Sequence, residues 1–220
     1  MIRSLPSLTA IALAISILVP DRFVIAQHSR LFPPTELGML EGPDRESWQQ
    51  PEQIMDALYI GEGSVVAEVG VAGGWFTIRL ARRVGPNGTV FGEDIQPLMI
   101  QATEGRVRGE NLRNVQMVLG TALDPRLPKG VLDAALFVDS YYEIEQPIKL
   151  LRNLATSMKP TGLIGIVEFT KDGWGPGPAM DERIDAERVI HDAEAAGLRL
   201  ERRETFLRYQ YLLVFALQNR

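Results

Sequence analysis

The segment Val65-Val66-Ala67-Glu68-Val69-Gly70-Val71-Ala72-Gly73-Gly74-Trp75-Phe76-Thr77 carries the residue types best suited to chemistry. A short apolar run holds one acid, Glu68; Gly70, Gly73 and Gly74 follow, and a stretch of helical period begins. This order predicts a buried strand, a tight turn and a helix whose first N–H groups face a ligand. The chemistry it suits is the holding of a nucleotide-like cofactor. Two turn patterns compete. A G-x-G-x-x-G fingerprint counted from Gly70 finds Ala72 and Trp75 at its second and third glycine positions. The pattern E-x-G-x-G-x-G is met by Glu68, Gly70 and Gly74, with Ala72 in place of the middle glycine. An alanine there fits if its φ is negative.

A second carboxylate supports the cofactor reading. Thr89-Val90-Phe91-Gly92 reads as a short strand ending at Glu93-Asp94-Ile95, and Asp94 lies 24 positions after Gly70. Alpha/beta nucleotide folds set an acid near that distance against ribose hydroxyls. A carboxylate accepts from both hydroxyls of a diol. The plainer readings are a glycine-rich connector and a solvated acid pair.

The surrounding elements are those that could position such groups. Ser47 can cap a helix running to about Leu58, with Pro51 in its first turn. The helix over 75–84 puts Phe76, Leu80 and Val84 on one face and stops at Gly85-Pro86-Asn87-Gly88. Strands and helices alternate as far as residue 170, which predicts a parallel sheet covered on both faces. A helix over 147–158 opens with Pro147. The segment 170–180 holds Gly173, Gly175 and Gly177 with Pro176 and Pro178, and reads as a mobile loop at the carboxyl edge of the sheet. Asp181 to Ala196 reads as a helix closed by Gly197. Leu198–Phe206 and Tyr211–Leu217 follow too closely for a helical crossover, so they pair antiparallel. The second is apolar on both faces and belongs inside the sheet; the first alternates, as an edge strand does.

The E-x-G-x-G-x-G turn resembles the first motif of class I S-adenosylmethionine (SAM)-dependent methyltransferases, and the resemblance spans roughly residues 45–217. Trp48-Gln49-Gln50-Pro51 looks like the lead-in helix of one branch of that family. Asn114–Thr121 looks like its third strand, Val131–Asp139 its fourth, and Leu154–Phe169, with Lys159-Pro160-Thr161-Gly162, its helix-turn-strand five. The resemblance implies a Rossmann-like α/β fold: a seven-stranded, mostly parallel sheet with an antiparallel C-terminal pair and helices on both faces. It implies SAM as cofactor, with Glu68, Gly70, Gly73 and Gly74 at its methionine part, Asp94 and Ile95 at its ribose, and Asp124 at its adenine. Asp139 then faces the junction of cofactor and acceptor, and Asp139, Tyr141 and Tyr142 become the candidate catalytic groups, with Glu143 beside them. Two departures stand out. Thr121 occupies the place of the family's adenine-side acid, three residues before Asp124. The branch's Asp-x-Tyr-His reads here Asp139-Ser140-Tyr141-Tyr142, which removes an imidazole able to act as a base near neutral pH. Because the SAM methyl group sits on an activated sulfonium, the protein's main task is orientation.

The remaining sequence bounds the function. The chain has 220 residues, no cysteine and a net charge of −5. No thiol chemistry or cysteine-held metal is available, and His28 and His191 stand far apart, so no metal site is expected. Its arginines are scattered over several elements, so no nucleic-acid partner is expected. Asp139, the aromatic pair at 141–142 and the 170–180 segment lead us to expect a small-molecule acceptor between them. Arg3, the apolar run Leu8–Val19 and Val24-Ile25-Ala26 predict a signal peptide over 1–26, cleaved before Gln27. Residues 27–46 then form an arm and 47–220 the methyltransferase domain. Export is the resulting expectation; a membrane contact through a retained leader and a cytoplasmic protein starting at Met39 are the alternatives. A non-catalytic ligand-binding protein on the same fold and an NAD(P)-dependent oxidoreductase are the competing functions.

Overall fold

The computed structural model describes Met1, residues 31–172 and residues 175–218; residues 2–26 of the expected leader, its cleavage site and Trp174 lie outside them. Seven strands form one sheet in the order β3-β2-β1-β4-β5-β7-β6. They are β1 (Val65–Val69), β2 (Thr89–Asp94), β3 (Val115–Leu119), β4 (Leu132–Val138), β5 (Met158–Phe169), β6 (Leu198–Glu204) and β7 (Gln210–Leu217). Strands β1 to β5 pair in parallel, and β7 runs antiparallel to both its neighbours, β5 and β6. The expected seven-stranded fold, with the last strand inside and β6 at the edge, is the one observed.

Period-2 alternation divides the sheet between two cores. Tyr211, Leu213 and Phe215 of β7 join Ile164 and Ile166 on one face, under α5 (Pro147–Ala155) and α6 (Ala186–Ala196). Leu212 and Val214 join Val167 on the other, with Ile54 and Met55 of α2 (Pro51–Ala57) and Phe76 and Leu80 of α3 (Trp75–Val84). Helix α4 (Pro97–Gly109) lies between β2 and β3. Its buried stripe is narrow, Met99, Thr103 and Val107, and so gives little periodic signal in sequence.

Three local expectations are corrected. The lead-in is two helices, α1 (Arg45–Gln49) and α2, broken at Gln50, whose φ of 48° is left-handed. Proline disfavours the helical region at the residue before it, so Pro51 starts a new helix rather than continuing one. Ser47 caps neither; its hydroxyl donates to Asp44 O at 2.7 Å. Lys159–Gly162 is already part of β5, and the register shifts between Leu132 and Ala134 opposite it. Helix α6 begins five residues later than expected, at Ala186.

The described part of the 170–180 segment, expected to be a mobile loop, makes several contacts with Arg183. Buried Arg183 donates to Pro178 O at 3.0 Å, Thr170 O at 2.9 Å and Pro176 O at 3.2 Å. Its guanidinium also lies over the Phe169 ring, 5.2 Å from the centroid. One planar, multidentate donor thus gathers the described part of this loop.

A side chain from outside α3 satisfies the carbonyls at the end of that helix. Asn114 Nδ2 donates to Ala81 O at 2.7 Å and to Gly85 O at 2.8 Å, groups that the helix leaves unpaired. Asn114→Ala should therefore lower stability by about 1–2 kcal/mol in urea unfolding, with an unchanged m-value.

Candidate functional site

A cleft of about 780 Å³ opens at the carboxyl ends of β1, β2 and β4. Its floor is the β1–α3 turn. The N–H groups of Gly70 and Val71 both donate to Glu93 O, at 2.8 and 3.1 Å, which ties the turn to the end of β2. Gly70 has φ 84°, and a Cβ there would come within 2.5 Å of Ser140 Cβ, so this position requires glycine. Gly74, at φ 76°, is similarly pressed against Thr103 and is not part of the cleft wall; Gly73 is.

Ala72 departs from expectation. Its φ is 46°, in the left-handed region, not negative. Two bonds hold it there: its N–H donates to Asp94 Oδ2 at 3.2 Å, and Thr103 Oγ1 donates to its carbonyl at 2.9 Å. Asp94 also accepts from Gln96 N at 2.9 Å, so each of its oxygens is anchored while keeping acceptor capacity toward the cleft. Burial raises the Asp94 pKa, and the backbone donors oppose the shift. Ile95 lines the cleft beside it.

Glu68 is buried at the base of the turn and accepts from the Thr77 hydroxyl. Burial pushes its pKa up to about 8, against the Thr77 bond and the charge of Arg45, so it is largely protonated at neutral pH. Glu93 is likewise raised, by burial and then by Asp94.

Besides Gly74, two other sequence-expected residues do not reach the cleft. Asp124 is exposed; it closes a short turn with Thr121 and accepts from Arg126 N at 2.8 Å. Thr121 and Ala122 line the cleft in its place. Tyr141 is 1% exposed, with its ring edge-on to Phe137 at 5.8 Å, and is a core residue. Its backbone N–H, with that of Tyr142, donates to buried Glu168 Oε1, which sets the turn after β4. Tyr142 and Glu143 do face the cleft, as does Asp139.

The structure also brings in groups that sequence reasoning missed. The side-chain amides of Gln49 and Gln210 donate to the two oxygens of Asp139, and Arg45 stands beside them. The arm forms the outer wall of the cleft. Phe32 N donates to Glu143 Oε2 at 3.2 Å, Gln96 Nε2 donates to Phe32 O at 3.1 Å, and Arg106 pairs with Glu41. A chain starting at Met39 would lack Leu31, Phe32, Pro33, Glu36 and Leu37, all of which line the cleft, so it would not leave the site whole. The only sequence signal for the arm's role was its apolar residues among polar ones.

The glycine turn, the acid at the end of β2 and a reversed β7 inserted between β5 and β6 define the class I methyltransferase architecture. Comparison with known proteins agrees. The model of a methyltransferase domain family matches residues 66–162. The chain is 32% identical over 137 residues to nocamycin O-methyltransferase of Saccharothrix syringae, covering 59% of this chain and 45% of that protein. It is 26% identical over 120 residues to demethylmenaquinone methyltransferase of Geobacillus sp. (strain WCH70), covering 54% and 51%. The chain thus spans about half the length of these curated relatives. A crystal structure of a SAM-dependent methyltransferase from Aquifex aeolicus superposes with a TM-score of 0.81 at 25% identity, over 84% of this chain and 99% of that one. These likenesses support a class I SAM-dependent methyltransferase with SAM as its cofactor. That assignment displaces the nicotinamide-dependent alternative.

Because Ala72 is held left-handed, Ala72→Gly should raise stability by about 0.5–1 kcal/mol: relief of the Cβ clash outweighs the added freedom of the unfolded chain. Urea unfolding would show it, and a loss of stability would mean that Ala72 is not strained.

Proposed function

We propose that this chain binds SAM along the β1–α3 turn and transfers its methyl group to a small-molecule acceptor held near Asp139 and Tyr142. The observation that carries this reading is the continuity of the cleft. One cavity runs from Asp94 and the glycine turn to Asp139, Tyr142 and the loop at Pro176–Ala179. Its volume lies in the range that encloses drug-sized ligands. Its lining favours cations: ten carboxyl groups face it, eight of them besides the protonation-prone Glu68 and Glu93, and Arg45 is the one cationic side chain among the described residues that do. A sulfonium cofactor suits such a field, whereas a phosphate-bearing acceptor is repelled. The relatives whose names include O-methyltransferase and demethylmenaquinone methyltransferase support an acceptor of modest size.

Isothermal calorimetry tests the cofactor half directly. Asp94→Ala should weaken SAM binding by about 1.5–3 kcal/mol, the cost of losing charge-assisted hydrogen bonds to the ribose. Unchanged affinity in a folded variant would overturn the assignment of the ribose site. Transfer itself is read by incubating the full chain with methyl-labelled SAM and a small-molecule extract, where label should appear in a low-mass product.

Export is also proposed, on the n-region at Arg3, the apolar run over 8–19 and the small residues before Gln27. N-terminal sequencing of protein recovered from fractionated cells should begin at Gln27. A sequence beginning at Met1 would instead mean a retained leader.

A further inference from the structure

Arg45, Gln49, Asp139 and Gln210 form one polar cluster drawn from α1, the turn after β4 and the start of β7. Gln49 is fully buried, Gln210 is 3% exposed, and the Asp139 side chain keeps 16% exposure, on the cleft. Gln49 Nε2 donates to Asp139 Oδ2 at 3.0 Å, and Gln210 Nε2 donates to Oδ1 at 2.5 Å. Arg45 Nη2 stands 4.0 Å from Oδ2. Arg45 is itself fixed: Nε donates to Gln49 Oε1 at 2.6 Å, Nη1 donates to Leu40 O at 2.6 Å, and the guanidinium lies over the Trp75 ring. The carboxylate therefore cannot rotate, yet each oxygen retains acceptor capacity. Asp139 itself sits at φ 55°, a strained backbone that its clamp helps to hold.

The other charged or titratable groups around Asp139 are Glu168 on β5, Arg183 before α6 and Tyr142 in the next turn, with Glu68 acting on Arg45. Burial raises Asp139 to about 6; Arg45, then Gln49 and Gln210, oppose that rise. A fixed carboxylate titrating near ambient pH is suited to proton transfer.

We propose that Arg45, Gln49 and Gln210 are positioning residues that lock the Asp139 carboxylate beside the transferring methyl group, where it takes the acceptor's proton. This inference rests on the SAM reading above. In the step, the S–CH₃ bond breaks and its electron pair stays on sulfur, giving neutral S-adenosylhomocysteine. A bond forms between the methyl carbon and the acceptor's O or N, and the proton released there passes to Asp139.

The test needs no acceptor, because SAM is cationic at sulfur and S-adenosylhomocysteine is not. An ionised Asp139 beside the sulfur favours SAM; a protonated one does not. Calorimetry on the full chain between about pH 5 and 7 should show the SAM-to-homocysteine-product affinity ratio rising about tenfold, with a midpoint near 6. Asp139→Asn should make the ratio flat. Gln49→Met and Gln210→Met, close in shape but lacking the donor, should each move the midpoint upward by about one pH unit. A purely structural role for the glutamines would not move it, and either variant that folds by circular dichroism suffices. SAM binding with a flat ratio in the parent, a rise that survives Asp139→Asn, or midpoints unchanged in the glutamine variants overturns the inference alone. Failure of both ligands to bind overturns the cofactor reading with it.

Discussion

A carboxylate taken out of water must find donors, and Asp139 finds them on segments far apart in the chain. The amides that satisfy it come from residues 49 and 210, on a helix before the first strand and on the last strand. Losing either donor leaves a buried charge short of a partner, at a cost larger than the hydrogen bond itself contributes. The break that Pro51 imposes after Gln49 serves this requirement. The left-handed Gln50 and the proline after it turn the chain so that α1 presents Arg45 and Gln49 to the cleft while α2 buries Ile54 and Met55. It also gives the insertion of β7 a consequence for the site, since the reversed strand begins with Gln210 beside the end of β4's neighbour, β5.

A second constraint joins the two carboxyl ends that would meet the cofactor. The carbonyl of Glu93 holds the turn at Gly70 and Val71, and the side chain of Asp94 holds it at Ala72. The cofactor floor and the ribose acid are therefore one hydrogen-bonded unit, and a shift of β2 relative to β1 would disturb both. Glycine is needed at 70 because Ser140 lies against it, which places the end of β4 in the same unit. Ser140 Oγ donates to Val69 O at 2.7 Å and closes that contact.

Burial shapes the electrostatics of the cleft more than pairing does. Glu68, Glu93, Asp139 and Glu168 all have raised pKa values with desolvation as the first cause. A cleft with many acids thus carries less negative charge at neutral pH than its composition suggests. The arm over 31–44 deepens this burial by covering Gly73 and bonding Glu143. It has no buried residue in its 3-10 turn Pro34–Leu40, so its attachment rests on polar latches rather than on a core of its own.

The strands and their order of burial were legible in the sequence because each rests on a local, periodic signal. Tyr211–Leu217 announces an interior strand by being apolar on both faces, and the Glu68–Gly74 pattern announces a cofactor turn by its glycines. Asp94 was legible through its distance from that turn. The failures share a cause. Asp124 and Tyr141 have suitable chemistry at suitable spacing, but which way a loop side chain points depends on neighbours that spacing does not encode. Ala72 looked tolerable at negative φ; Asp94 and Thr103, from β2 and α4, decide otherwise. Gln49 and Gln210 are ordinary polar residues by type, 161 positions apart, and nothing local marks either as a partner of Asp139. The sequence by itself determined the periodicities and turns, and through them the sheet. Only tertiary structure decided which polar side chains share the cleft, because a buried charge selects its donors by distance in space.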